Sequence, residues 1–432
     1  MSLLLTFLLS LLLTLPDGLP KARKGTFALT NARLITVTSD TLENATLLIQ
    51  DGKIAAIGLH LALPDSVEII DCTGLTVYPG LIDSGTRLGL QEIGSLPETR
   101  DHDEIGELTP HVRALTAINP NSVLIPVNRI AGVTTVLASP TNGLFPGTAA
   151  LINLLGYTPD QMYAGFQGVI LNFPTTGRRG WWDRRSEEEI QKAAEKALKQ
   201  LDDVWEKTLL YARIDSAYRV HPEPGRMPEF IPPMESLLKV VRGEWPLLVE
   251  VNTASDITKA IDWVQKRKIK RVIFTGVAEG WRVADKLAEA GIPCIVGPVL
   301  SLPTRAYDRY DRAYANAGLL HKAGVKVALR TQDAENVRNL PYHAGFAATY
   351  GLGRTEALRA ITIVPAEIFG VDDRLGSLEV GKSATLFVAD GDIFEPKTQV
   401  HYVFIDGYMV PMVSQQTRLY EEFLERNPGL VK

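Results

Sequence analysis

The sequence predicts an α/β protein: a (β/α)8 barrel joined to a small β-sandwich domain that is built from both ends of the chain. Three observations predict it. Short apolar strands alternate with helical stretches through the middle of the 432 residues, the pattern of a parallel sheet. Both ends carry instead short strands of period two, separated by Gly-containing turns. The middle part holds eight strand candidates, the number that closes a TIM-like barrel.

The first element, over residues 1–22, is MSLLLTFLLSLLLTLPDGLPKA. Its apolar run from Leu3 to Leu15 is short for a bilayer span but has the length of an export-signal core. No basic residue precedes the run, and Gly18 and Ala22 are the nearest small residues for cleavage. The expectation is an exported protein, periplasmic or extracellular, or one anchored by an uncleaved leader; a buried helix is the alternative.

Residues 23–78 form the first part of the small domain. FALTNARLITV (27–37), ATLLIQDGKIAAIG (45–58) and VEIIDCTGLTVYPG (67–80) alternate apolar and polar residues, and Asp51-Gly52 supplies a hairpin turn. The same texture returns over 375–432 in LGSLEVGKSATLFVADGD (375–392) and VHYVFIDGYMV (400–410). Pairing of the two sets in space is the economical arrangement, because it brings the two ends of the barrel together.

The barrel is expected over 79–374. Its strand candidates are 76–83, 132–139, 148–155, 168–174, 246–252, 271–277, 293–299 and 325–331, the third and fourth being the weakest. Helical stretches at 186–220, 255–268, 280–291 and 305–324 separate many of them. Ser186 with Glu189 reads as a capping box, and Ser255-Asp256 as the start of the next helix. The proline-rich stretch 219–234 reads as an irregular connection.

A formal charge of −5 argues against nucleic acid as a partner, since phosphate binding needs a concentrated basic face. Cys72 and Cys294 lie far apart without metal-ligand spacing, so they read as small buried hydrophobes. A small molecule is the expected ligand.

Four stretches carry a resemblance. They are ARLITV…ATLLIQDGKIAAIG…EIIDCTGLTVYPGLID, then GVTTVLA, then TEALRAITIVPAEIFGVDDRLGSLEVGKSATLFVADGD, and last VFIDGYMV. Together they resemble the metal-dependent amidohydrolase superfamily, and within it the imidazolonepropionase-like group. The resemblance implies a hydrolase acting on non-peptide carbon–nitrogen bonds. It also implies one or two divalent metals at the barrel mouth, held by a His-x-His pair on strand one, histidines on strands five and six, an aspartate on strand eight and, in some members, a strand-four lysine. Such an ion lowers the pKa of a bound water to make hydroxide.

The matching positions do not carry those ligands. After Pro79-Gly80-Leu81-Ile82-Asp83 the histidine positions hold Gly85 and Arg87. Strand five offers Glu250, strand six Thr275 or Gly276, and strand eight Gln332 followed by Asp333, while GVILNFP has no lysine. Glycine has no ligand atom and a guanidinium is always charged. No metal cofactor is therefore expected at these positions. The loop Asp101–His111 is an outside candidate for a cation, through His102, His111 and its acids.

The strand ends gather Asp83, Arg87, Glu250, Asn252, Thr275, Arg330, Gln332 and Asp333. In one reading Arg87 pairs with Glu250 or Asp333 and merely fills the metal's space. In the other, Arg87 and Arg330 bind a substrate carboxylate and Glu250 or Asp333 acts as base, with Asn252, Thr275, Gln332 and Arg338 contacting substrate. Trp181-Trp182 is a further lining candidate. Two functions stay open: a hydrolase of the amidohydrolase type without the usual centre, or an inactive member that binds a small ligand. The second could act as a homo-oligomer or beside an active paralogue.

Overall fold

The computed structural model describes residues 21–177, 183–222 and 227–426. The apolar leader run, Trp181-Trp182 and the middle of the proline-rich stretch fall outside the described residues. Among the described residues no helix is long and apolar enough to cross a membrane.

Strands from the N-terminal and C-terminal parts of the described residues share one nine-stranded sheet. Phe27–Leu34 pairs with Leu42–Gln50, which turns at Asp51 and Gly52 into Lys53–Gly58. Both turn residues have positive φ, 53° and 80°, the geometry that favours Asp-Gly at a hairpin. The N- and C-terminal halves meet where Thr76–Pro79 runs antiparallel to Leu386–Ala389, itself paired with Val400–Ile405. The sheet curls back on itself, since Lys53 bridges Ser383 and Ile54 N–H donates to Lys382 O at 2.9 Å. Phe27, Leu47, Ile49, Leu386 and Phe404 fill its fully buried core.

Gly80 is the joint between sheet and barrel. A Cβ there would lie 2.1 Å from Thr134 Oγ1, so only glycine lets the chain pass.

Eight strands follow: β1 (Leu81–Thr86), β2 (Val133–Ala138), β3 (Thr148–Asn153), β4 (Tyr163–Asn172), β5 (Leu247–Val251), β6 (Val272–Gly276), β7 (Cys294–Val296) and β8 (Val327–Leu329). They lie side by side in chain order. Beyond their ends the last and first strands are tied by Gln332 N–H to Gly85 O (2.9 Å) and Arg87 N–H to Asp333 O (3.0 Å). Ile82, Leu137, Leu151, Ile170, Leu248, Ile273 and Ile295 form a separate buried cluster. One inward residue from each of seven strands is the packed interior expected of a barrel.

The uniformly parallel sheet is corrected at one place: β3 runs antiparallel to both β2 and β4. The cause is connection length. Residues 139–147 and 154–162 are too few for a parallel crossover, which takes about a dozen or more, so the chain turns back twice.

The helices differ in detail from expectation. Ser186 and Glu189 form the capping box that opens Glu187–Val220. The next helix, Ala254–Lys266, starts earlier than Ser255-Asp256 suggests, because Thr253 accepts the Asp256 N–H. Of the stretch 305–324 only Arg312–Lys322 forms an α-helix.

Candidate functional site

The centre of the barrel mouth is an ion pair. β5 presents Glu250, flanked in register by Asn172 of β4 and Thr275 of β6. Arg330, just beyond β8, donates from Nη1 to Glu250 Oε2 at 2.7 Å and from Nη2 to Oε1 at 2.8 Å. The Thr275 hydroxyl donates to Oε2 at 2.6 Å and the Asn252 amide to Oε1 at 3.1 Å. Arg330 Nε donates to Gly297 O at 3.2 Å. Burial raises the Glu250 pKa, but the Arg330 guanidinium and the Thr275 and Asn252 donors outweigh it and hold the carboxyl below its usual range. Glu250 is thus an ionised, fully engaged acceptor.

One reading of the sequence pairs Arg87 with Glu250 or Asp333; the structure pairs Glu250 with Arg330 instead. The reason lies on β1. A Cβ at Gly85 would stand 2.9 Å from Arg330 Cδ, so the absent side chain leaves the lane along which Arg330 reaches β5. Gly276 repeats the device. Its φ is 83°, and a Cβ there would lie 2.4 Å from Asn252 Oδ1 and 2.6 Å from Glu250 Oε1. At Gly85, and at Gly276 as one of the two strand-six candidates for a histidine position, the side-chain space is therefore filled by the ion-pair cluster.

Asp333 and Arg338, expected at the mouth, belong to the turn beyond it. Asp333 Oδ1 accepts the backbone N–H groups of Ala334 (2.6 Å) and Glu335 (3.0 Å), and Oδ2 accepts from the Asn336 amide. Burial works against its charge, yet these bonds hold its pKa below the usual range. A carboxylate so tied is a turn cap rather than a base. Arg338 donates to Glu335 O and, at 3.1 Å, to Asn336 Oδ1. Gln332 adopts a left-handed φ of 57°, secured by its bond to Gly85.

Asp83 lies fully buried beneath this layer, accepting from Gly85 N–H (3.0 Å), Thr331 N–H (3.2 Å) and the Thr331 hydroxyl. Burial is the dominant influence and pushes its pKa up to about 7, against those bonds and the Arg330 charge.

Beside the ion pair opens a cavity of about 300 Å³. Arg87, Glu250, Thr275, Arg330 and Gln332 line it, together with residues that sequence reasoning missed: Ser84, Ser139, Thr141, Asn142 and Asn172. Three of these sit on the β2–β3 connection, whose shortness was the available signal that it turns at the mouth instead of crossing over. Asn252 lies on the far side and lines a neighbouring small cavity with Gly276 and Trp281.

The loop after β1 does not assemble a cation site. His102 is buried, with Nδ1 at 2.7 Å from Thr141 Oγ1 and Nε2 at 3.1 Å from Gln91 Oε1. An amide oxygen only accepts, so Nε2 carries the proton and Nδ1 accepts the threonine hydroxyl. Burial first, and the nearby Arg87 charge second, lower its pKa and keep it neutral. His343 accepts the Val299 N–H through Nδ1 (3.2 Å), and burial lowers its pKa to about 4. Among the described residues no three His, Cys, Asp or Glu side chains converge to hold a metal ion.

A nearly closed barrel with its polar cluster at the carboxyl ends of the strands, carrying a sheet drawn from N- and C-terminal strands, defines an α/β-barrel protein of the kind that hosts enzymes. Residues 76–410 match the amidohydrolase family, and the chain belongs to that family. An imidazolonepropionase of Geobacillus sp. (strain WCH70) is 26% identical over 389 residues, covering 81% of this chain and 84% of that protein. The imidazolonepropionase of Syntrophobacter fumaroxidans is 38% identical over 109 residues, 24% of either chain. This and the D-hydantoinase of Geobacillus stearothermophilus, with 17% of its length matched, align over a quarter of their length or less. Among solved structures, an amidohydrolase from Thermotoga maritima superposes with a TM-score of 0.78 at 26% identity, over 89% of this chain and 99% of that one.

Proposed function

We propose that this chain is a small-molecule-binding member of the amidohydrolase family whose barrel mouth works without a metal centre. The observation that carries the reading is the Arg330–Glu250 pair, bidentate and buried among glycines. A divalent ion would draw on donors at residue 85 and at residue 275 or 276; a side chain at 85 or 276 would collide with Arg330 or with Asn252 and Glu250, and the Thr275 hydroxyl is already spent on Glu250. It would also need a carboxylate, and Glu250 already satisfies a guanidinium. The residues present do not fit a metal.

Hydrolysis of a non-peptide carbon–nitrogen bond needs a strong oxygen nucleophile at neutral pH, normally prepared by a metal. Without one, a poised base must take its place. Glu250 is held ionised by four hydrogen bonds and Asp333 caps its own turn, while Asp83, though its pKa is pushed up to about 7, is fully buried and does not line the cavity, so none of the three is such a base. Binding without turnover follows. A homo-oligomer or a complex with an active paralogue would give this binding a role.

A second reading, hydrolysis of non-peptide carbon–nitrogen bonds by another route, is favoured by the similarity to an imidazolonepropionase over 81% of the chain. The two are separated by assaying the purified full chain on hydantoin, dihydrouracil and related cyclic amides, with and without added zinc or manganese. The binding reading expects no ring opening above buffer. Turnover that Glu250→Gln abolishes would replace it with the hydrolase reading.

A further inference from the structure

Resting on the metal-free mouth just proposed, we infer that the cavity beside the ion pair is a receptor for a small monocarboxylate, with Arg87 as the anchoring cation and Ser84 as an added donor. Three observations on the cavity converge.

The first is an uncommitted arginine. Arg87 Nη2 reaches Gln332 O at 3.4 Å, Nε is buried without a hydrogen-bond partner, and no carboxylate of the described residues pairs with it. Arg330 lines the same cavity but is spent on Glu250. A planar guanidinium with a free edge suits a carboxylate, which it can meet with two parallel bonds.

The second is a buried hydroxyl. Ser84 is 1% exposed, lines the cavity, and its Oγ has no partner. A buried polar group left unpaired is costly, and a bound oxygen would relieve that cost.

The third is charge. Of the lining side chains only Arg87, Glu250 and Arg330 are formally charged. The last two cancel as a pair, so the cavity carries one positive charge in excess. That selects a monoanion over a neutral amide or a dianion. The volume of about 300 Å³ is at the lower end for ligand pockets, which limits the ligand to a small molecule. Leu137, Ile170 and Leu248 supply an apolar wall for its body.

The experiment uses the full chain and paired probes of matched shape: propionate with propionamide, benzoate with benzamide, phenylacetate with phenylacetamide. Binding is followed by saturation-transfer NMR and the best pair is titrated calorimetrically. At least one carboxylate is expected to bind while its amide does not. Arg87→Gln is expected to weaken that binding at least about tenfold, as for a lost charge-assisted bond, without lowering the melting temperature, because Arg87 makes no ion pair. Arg87→Lys, which keeps the charge and loses the fork, should retain part of the affinity. Ser84→Ala should cost a few-fold. Equal binding of the amides, binding indifferent to Arg87→Gln, or no carboxylate binding at millimolar concentration would overturn the assignment. None of these outcomes touches the metal-free mouth, which stands or falls on elemental analysis.

Discussion

Arg330, at the exit of the last barrel strand, grips Glu250 on the fifth through two bonds of 2.7 and 2.8 Å. Its aliphatic stem crosses the space that a side chain at Gly85 would take. The glycine and the ion pair are therefore one feature: the first makes room for the second. Both charges are largely withdrawn from water, so each depends on the other for solvation.

Glu250→Ala accordingly leaves a buried guanidinium unpaired and should cost about 3–5 kcal/mol in denaturant unfolding. The double variant Glu250→Leu/Arg330→Met, which removes both charges at similar volume, should recover most of that loss. A single-variant cost below about 1 kcal/mol would mean that the pair is solvated and loosely held.

Restoring the resemblance at β1 should not restore a metal site. In Gly85→His/Arg87→His the new Cβ meets Arg330 Cδ, so overpacking on the order of 1–3 kcal/mol is expected. Zinc affinity, measured by competition with a chromophoric chelator, should stay near that of the parent chain. Submicromolar zinc binding by the double variant would show that the mouth rearranges easily around an ion.

Asp83 gives the pH dependence a direction. Unfolded, its carboxyl ionises near 4; folded, it keeps its proton up to about 7. Between those values the folded state holds the extra proton, so its contribution to stability falls as pH rises from about 4 to about 7 and then levels. Asp83→Asn should lack this slope, and the gap between the two chains should change by on the order of 3–4 kcal/mol from pH 4 to pH 8. Parallel stability profiles for both chains would refute the buried protonated carboxyl. Glu250 acts in the opposite sense, its contribution being lost as pH falls through its lowered pKa.

Asp333→Ala should behave as the loss of a cap. Removing the acceptor of the Ala334 and Glu335 N–H groups should cost about 1 kcal/mol and leave ligand binding at the mouth unchanged. A large loss of binding with unchanged stability would return Asp333 to the site.

Much of this was legible in the sequence, for physical reasons that differ by element. The Asp51-Gly52 turn, the Ser186–Glu189 box and the Pro79-Gly80 joint are local chemistry, and local chemistry is written in adjacent residues. The antiparallel β3 was legible too, in the length of residues 139–147, but strand texture alone hid it. Glu250, Thr275 and Arg330 were placed at one end of the barrel by strand counting. Their pairing was not, because which arginine reaches Glu250 depends on the lane left open at Gly85, a contact between residues at opposite ends of the barrel sequence. Asp333 was misplaced by a single residue's turn: the left-handed Gln332 sends the carboxylate after it into the following turn, where three backbone donors hold it.

The Arg330–Glu250 ion pair stands in this barrel where the resemblance implies a metal. Elemental analysis of the purified, dialysed full chain, read together with its melting temperature before and after chelator, tests it most directly. The account predicts metal far below one equivalent per chain and a melting temperature that neither chelator nor added zinc shifts. One or two equivalents of zinc, iron or manganese surviving dialysis, with a chelator-sensitive melting temperature, would contradict it.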